Sequence, residues 1–272
     1  MKAIVSLALT ILFLLTVAVS AQIGGTVDWV NRTVKAKGIG APNPNMPEAA
    51  ARPAAIRAAK QIALRDALEL IKGISLNSQT TIKDAMVAND QVSTSVNGFM
   101  QGFQFEANPH YMSDGTVEIE VTVPMDGSNG FGQAIFGGSA NMIPDKGAPS
   151  VSPAAPRPGA YTGLVIDAKG MELKPALMPR VLNEADKEIY GSAFVTREFA
   201  VKYGMCGYSK SVSGAQKLAD RVGDNPLVIK AVKASGANKA DVVVSNRDAD
   251  AIQGAAKSMS FLNECRVILV ID

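Results

Sequence analysis

Between Met125 and Ala160 the chain is dominated by glycine, proline, serine and alanine, with Gly127, Gly130, Gly132, Gly137 and Gly138 followed by Pro149, Pro153, Pro156 and Pro158. A segment such as Ala148 to Pro158 reads as a stiff, extended connector. It predicts a domain on each side, residues 22–126 and 161–272, with 127–160 as the linker. An apolar island, Phe131 to Phe136, interrupts this stretch. Phe131, Ile135 and Phe136 are its candidate interaction residues, expected to dock on a neighbouring domain.

The first twenty-one residues have the grammar of an export signal. Lys2 is followed by an uncharged run from Ala3 to Val19 and then Val19-Ser20-Ala21, small residues at the positions a cleavage site needs. Cleavage would leave Gln22 first. The rival reading, a retained anchor, would need the apolar run to span a bilayer. The polar, glycine-containing sequence after it, with Gln22, Gly24 and Gly25, favours cleavage. No cysteine follows to carry a lipid, and no later stretch is long and apolar enough to cross a membrane. The expected location is across the inner membrane, in the periplasm or at the outer membrane or cell surface.

Charge narrows the partners. With 27 basic and 25 acidic side chains and no run of five or more basic residues, the chain lacks the concentrated basic face that nucleic acid requires. Anionic lipid headgroups are disfavoured on the same ground. The two cysteines, Cys206 and Cys265, suggest a disulfide in an oxidising compartment. Two buried free thiols are the alternative. Without a CxxC pair and with His110 as the only histidine, no metal or cofactor is expected.

The first domain is expected to be β-α-β-β, an antiparallel sheet with one long helix laid across it, hence α+β. Asp28 to Gly40 reads as a strand, and a helix begins near Glu48 and runs to Lys72. Its apolar face gathers Ile56, Ala59, Ala63, Leu64, Ala67, Leu70 and Ile71. So many alanines imply close approach to the sheet. Gln91 to Glu106 reads as a strand bent at Gly98. Thr116 to Val123 alternates strictly, with Val117, Ile119, Val121 and Val123 on one side.

The second, smaller domain reads as α/β. Tyr161 to Ala168 and Val195 to Met205 are expected strands, and Gly214 to Val222 a short helix. Lys230 to Ala234, Asp241 to Ser245 and Arg266 to Ile271 are further strands, with a helix from Asp248 to Ser258. The last strand, helix and strand imply a right-handed parallel crossover.

The search for chemistry returns structural readings. There is no zinc-protease or deaminase signature, no nucleophile elbow and no phosphate loop. Gly38-Ile39-Gly40 leads into prolines, not a helix, and so cannot cradle a pyrophosphate. His110 falls in a connection and reads as a solvated residue. Asp248 and Asp250 read as acids at a helix start, Asp167 and Glu172 as part of a turn. Asn31-Arg32-Thr33 matches a glycosylation sequon inside an expected strand.

A family likeness is carried by the run Ala51-Arg52-Pro53-Ala54-Ala55-Ile56-Arg57-Ala58-Ala59, then Asp66 to Gly73, Ser78 to Ile82, Gly98-Phe99-Met100-Gln101-Gly102 and Thr116 to Met125. In this order they resemble the twenty-kilodalton surface lipoprotein family and the N-terminal domain of flagellar assembly protein T (FlgT), over residues 27–126. The resemblance implies a non-enzymatic bacterial envelope protein with a structural or assembly role, tied to the outer membrane or the flagellum. Its partners would be envelope or flagellar proteins, or further copies of itself. Family lipoproteins carry a lipid-bearing cysteine that this chain lacks, and the family offers no catalytic residues. The alternative from the residues themselves is a periplasmic small-ligand binding protein using a cleft between the domains.

Overall fold

The structure is a computed structural model and describes residues 24–105, 107–137, 142–143, 160–258 and 260–272. The expected signal peptide and most of the expected linker lie outside the described residues.

The first half opens on a hairpin, β1 (Gly25–Asp28) and β2 (Thr33–Gly40), where one strand was expected. Asp28 makes the turn: its carboxylate accepts from Val30 N at 3.1 Å and Asn31 N at 2.9 Å, and Arg32 follows at φ 55°. Next come α1 (Glu48–Gly73), α2 (Ile82–Ala88) and α3 (Asp90–Gly102), then β3 (His110–Tyr111) and β4 (Val117–Pro124). The strands form one antiparallel sheet in the order β1-β2-β4-β3. This half is α+β as expected, with α1 across one face.

The close approach of α1 has a definite geometry. Ala51, Ala55, Ala59, Ala63, Ala67 and Ile71 are its buried residues. A Cβ on Gly38 would lie 2.1 Å from the Ala59 carbonyl oxygen, and one on Gly40 would lie 2.0 Å from that of Ala55. Alanine on the helix and glycine on the strand are two sides of one steric condition. Val117, Ile119, Val121 and Val123 of β4 are all buried beneath the helix layer.

The expected strand from Gln91 is instead α3. The Asn89 side chain accepts from Gln91 N and Val92 N, and Val92, Val96 and Met100 form the buried stripe at helical spacing. An alternation broken at Gly98 suggests a strand here, and the four-residue spacing of the buried stripe overrides it.

The second half continues with β5 (Gly163–Asp167), β6 (Val181–Asn183), β7 (Glu188–Tyr190), α4 (Arg197–Tyr203), β8 (Gly207–Ser209), α5 (Val212–Gln216) and α6 (Ala219–Val222). It ends with β9 (Pro226–Lys230), β10 (Lys233–Ser235), β11 (Asp241–Val244), α7 (Asn246–Ser258) and β12 (Val267–Val270). A parallel sheet runs β8-β12-β5-β9, and a mixed sheet runs β10-β11-β6-β7. The expected strand Val195 to Met205 is the helix α4, started by Thr196. The expected crossover through α7 does not form within one sheet: β11 pairs with β6, whereas β12 pairs with β5 and β8.

One apolar core runs through both halves, from Val34 and Ile71 to Leu269 and Ile271. Backbone hydrogen bonds stitch them together: Leu177 N to Ser75 O at 3.0 Å, Met178 N to Leu76 O at 2.7 Å, and Asn238 N to Ser78 O at 2.8 Å. The island takes part in this junction. Phe131 and Phe136 are 0% exposed and Ile135 1%, on and beside a π-helical turn, Gln133–Gly137, that packs against α3 and α4. Phe131, Ile135 and Phe136, expected to dock on a neighbouring domain, pack into the core shared by both halves and so present no exposed surface to a partner.

Candidate functional site

Where the halves meet, a cluster of polar groups gathers from connecting loops, from β7 and β8, and from α6. Arg32, at the left-handed position after the β1 turn, donates from Nε and Nη2 to Asp126, each at 2.7 Å. Burial works against the Arg32 charge, but Asp126 more than offsets it and holds the guanidinium above its ordinary pKa. Trp29 lies against the same guanidinium and meets the Tyr208 ring edge-on, with centroids 5.4 Å apart. Gly204 passes at φ 70°, where a Cβ would lie 2.3 Å from Arg32 Nη2. A larger residue there would take a strained backbone and push against the ion pair.

A second arginine completes the cluster. Arg221 donates to the carbonyls of Tyr203 and Gly204, the C-terminal end of α4, where a cation suits the helix dipole. Burial depresses its pKa. Tyr190 donates to the Met205 carbonyl, while the Tyr208 hydroxyl donates to Ala176 O at 2.8 Å and accepts from Ala176 N at 2.9 Å. These bonds fix one segment to another, while Arg32 Nη1 and Arg221 Nε, also buried, have no hydrogen-bond partner among the described residues.

Cys206 and Cys265 lie in this cluster as free, buried thiols. The expected disulfide is corrected: Cys206 sits beside Tyr208 and Cys265 beside Tyr190, and neither is bonded to the other. Burial pushes both thiols up, Cys265 to about 12, with Arg221 pulling the other way. Sealed and protonated, they are packing groups rather than nucleophiles.

The remaining sequence candidates stay apart. His110 is exposed on β3, opposite Glu118. Asp248 N donates to Ser245 Oγ at 3.0 Å and Ser245 Oγ donates back to Asp248 Oδ2 at 2.8 Å, a helix cap as read. Glu172 is engaged by Lys239, which lowers its pKa. The Asp167 carboxylate accepts from Lys169 N at 3.2 Å, closing a turn.

Two grooves along the first sheet reach solvent. One, of about 720 Å³, lies between the hairpin segment Thr26–Val30 and the second half at Leu173, Pro175, Lys210 and Ile271. The other, of about 620 Å³, lies between Phe99, Phe103 and Phe105 at the end of α3 and Thr122 and Pro124 of β4. Both border an edge of the β1-β2-β4-β3 sheet. Sequence reasoning missed these places because strand order decides them.

Comparison with protein families reaches the second half. Residues 163–272 match the family model of the second domain of Treponema pallidum Tp0624. The matched stretch begins with β5 and takes in the parallel sheet, the mixed sheet and Arg221, Cys206 and Cys265 of the buried cluster. Arg32, Asp126 and both sheet edges lie in the part that the Tp0624 domain does not cover. No curated protein matches the chain.

Proposed function

We propose that this chain is an exported, non-enzymatic bacterial envelope protein that works as a structural or assembly module, associated with the outer membrane or the flagellum. The resemblance to the surface lipoproteins and the FlgT N-terminal domain supports the setting. The observation that carries the reading is the division between interior and surface. Arg32, Tyr190, Cys206, Tyr208, Arg221 and Cys265, whose pKa values are shifted by burial or by a close partner, lie in the junction between the halves. A substrate needs an approach to such groups. The open features are strand edges flanked by grooves, one walled by Phe99, Phe103 and Phe105 and the other mixed in polarity, which suit partner strands.

Fractionation of the native cell into periplasm, outer membrane, medium and purified basal bodies tests this. Enrichment with outer membrane or basal bodies is expected. Recovery only as a free periplasmic monomer would overturn it.

The second reading, a small-ligand binding protein, draws on the groove at Thr26–Val30, which lies between the halves where such sites occur. A ligand-induced rise in Tm across a metabolite panel would favour it. A flat panel leaves assembly as the account.

A further inference from the structure

The outer edge of β4 is closed at both ends and open in the middle. In the β3–β4 hairpin Met112 N donates to Thr116 O at 2.9 Å and His110 stands opposite Glu118, so the backbone groups of Thr116 and Glu118 point away from β2. Antiparallel alternation carries that direction to Glu120, Thr122 and Pro124. Pro124 agrees, since its outward carbonyl accepts from Phe131 N at 3.0 Å. Between these ends, the N–H and C=O groups of Glu120 and Thr122 have no partner among the described residues.

This gap borders the groove of about 620 Å³ formed with Phe99, Phe103 and Phe105. The Phe99 and Phe103 rings are 5.5 Å apart and the Phe103 and Phe105 rings 6.3 Å, giving a continuous aromatic wall. Among the described residues, none that lines the groove is charged. On the sheet face that Thr122 shares stand two carboxylates, Glu118 and Glu120. Lys37 takes Glu118 at 3.0 Å, and Glu120 has no ion-pair partner among the described residues.

We propose that an extended peptide segment of a partner protein adds to β4 at Glu120 and Thr122 as a further strand, placing a basic side chain opposite Glu120 and a bulky apolar one against Phe99, Phe103 and Phe105. The inference rests on the assembly reading and names the surface and partner chemistry it requires. Strand addition satisfies the open backbone groups whatever the partner's sequence, and the pockets for alternate side chains supply the choice. Glu120 and Thr122 share a face, so the residues opposite them stand two apart. The recognised pattern is a basic and a bulky apolar residue at i and i+2. A second copy offers the wrong charge, because its own β4 edge carries Glu118 and Glu120.

The test selects a phage-displayed library of random nonapeptides against the full exported chain, then measures the enriched peptides by fluorescence anisotropy. Enrichment of the i, i+2 basic and apolar pattern is expected, with binding weakened when alternate peptide nitrogens are methylated. Gly102→Leu is the blocking variant: a Cβ at Gly102 meets nothing within 4 Å, so the new side chain enters the groove without disturbing the fold. Its Tm should hold while affinity falls tenfold or more. Glu120→Lys should turn the preference at the basic position to acidic. Failure to enrich any binder, or binders unaffected by Gly102→Leu, would overturn the proposal. Envelope enrichment without peptide binding would remove the edge site alone, whereas peptide binding by a chain that fractionates as a free periplasmic monomer would remove the assembly reading.

Discussion

Arg32 and Asp126 are 94 residues apart in sequence, and their side chains are only 12% and 15% exposed. Either charge left alone would be buried without its partner. Arg32→Met or Asp126→Asn should each cost about 3–5 kcal/mol in urea unfolding, and an apolar replacement of both should recover most of the loss. If the two single changes are mild and simply add, the ion pair does not hold the junction. The thiols make a second residue-scale expectation. Cys265 is raised to about 12 by burial, against about 8.5 for an unfolded cysteine. Below the lower value both states keep the proton, and this contribution to stability is fully present. Between the two values the unfolded chain releases its proton first, so stability falls as pH rises, at about 1.4 kcal/mol per pH unit for one thiol. Cys265→Ala should flatten that alkaline slope, and native protein at pH 8 should show no thiol reactive to a disulfide reagent until it unfolds. Fast labelling of the native protein would contradict the sealed cluster.

Alanine put in place of two glycines should act in opposite directions, because their elements differ. Gly40 lies on β2 beneath α1, where the new Cβ meets the Ala55 carbonyl, and overpacking of this kind costs about 1–3 kcal/mol. Gly98 lies in α3 with open space around its Cβ position, so Gly98→Ala should stabilise by about 0.5–1 kcal/mol through helix propensity and the unfolded chain. Thermal melts of both variants read the result directly. A destabilised Gly98→Ala would argue for the strand that the sequence suggests there. That segment also marks the limit of legibility at this scale. The helix α1 and the strand β4 could be read because each keeps its period over its full length. In α3 the β-prone side chains masked a stripe of only three residues, Val92, Val96 and Met100, and the capping Asn89 went unread. The hairpin turn at Asp28 was also hidden, since no glycine marks it.

The molecule has one core through both halves, and the stitches at Ser75–Ser78 cross between them. Unfolding should therefore be a single transition, with Trp29 fluorescence at the junction and far-ultraviolet circular dichroism coinciding. Two separated transitions would mean that the halves are held together more weakly than their shared packing implies. The α+β and α/β character of the halves was legible from composition and periodicity. The junction was not, because Arg32, Asp126, Cys206 and Arg221 come together only through the fold, and an open strand edge is a property of pairing order. The proposed action of the protein is through that edge. Its most direct test is a photo-crosslinking side chain in place of Thr122, introduced in the producing cell, with Arg57 on the exposed side of α1 as control. The account expects a discrete crosslinked product from position 122 that is absent from position 57 and lost when Gly102→Leu fills the groove. A product equally strong from both positions, or none from position 122, would contradict it.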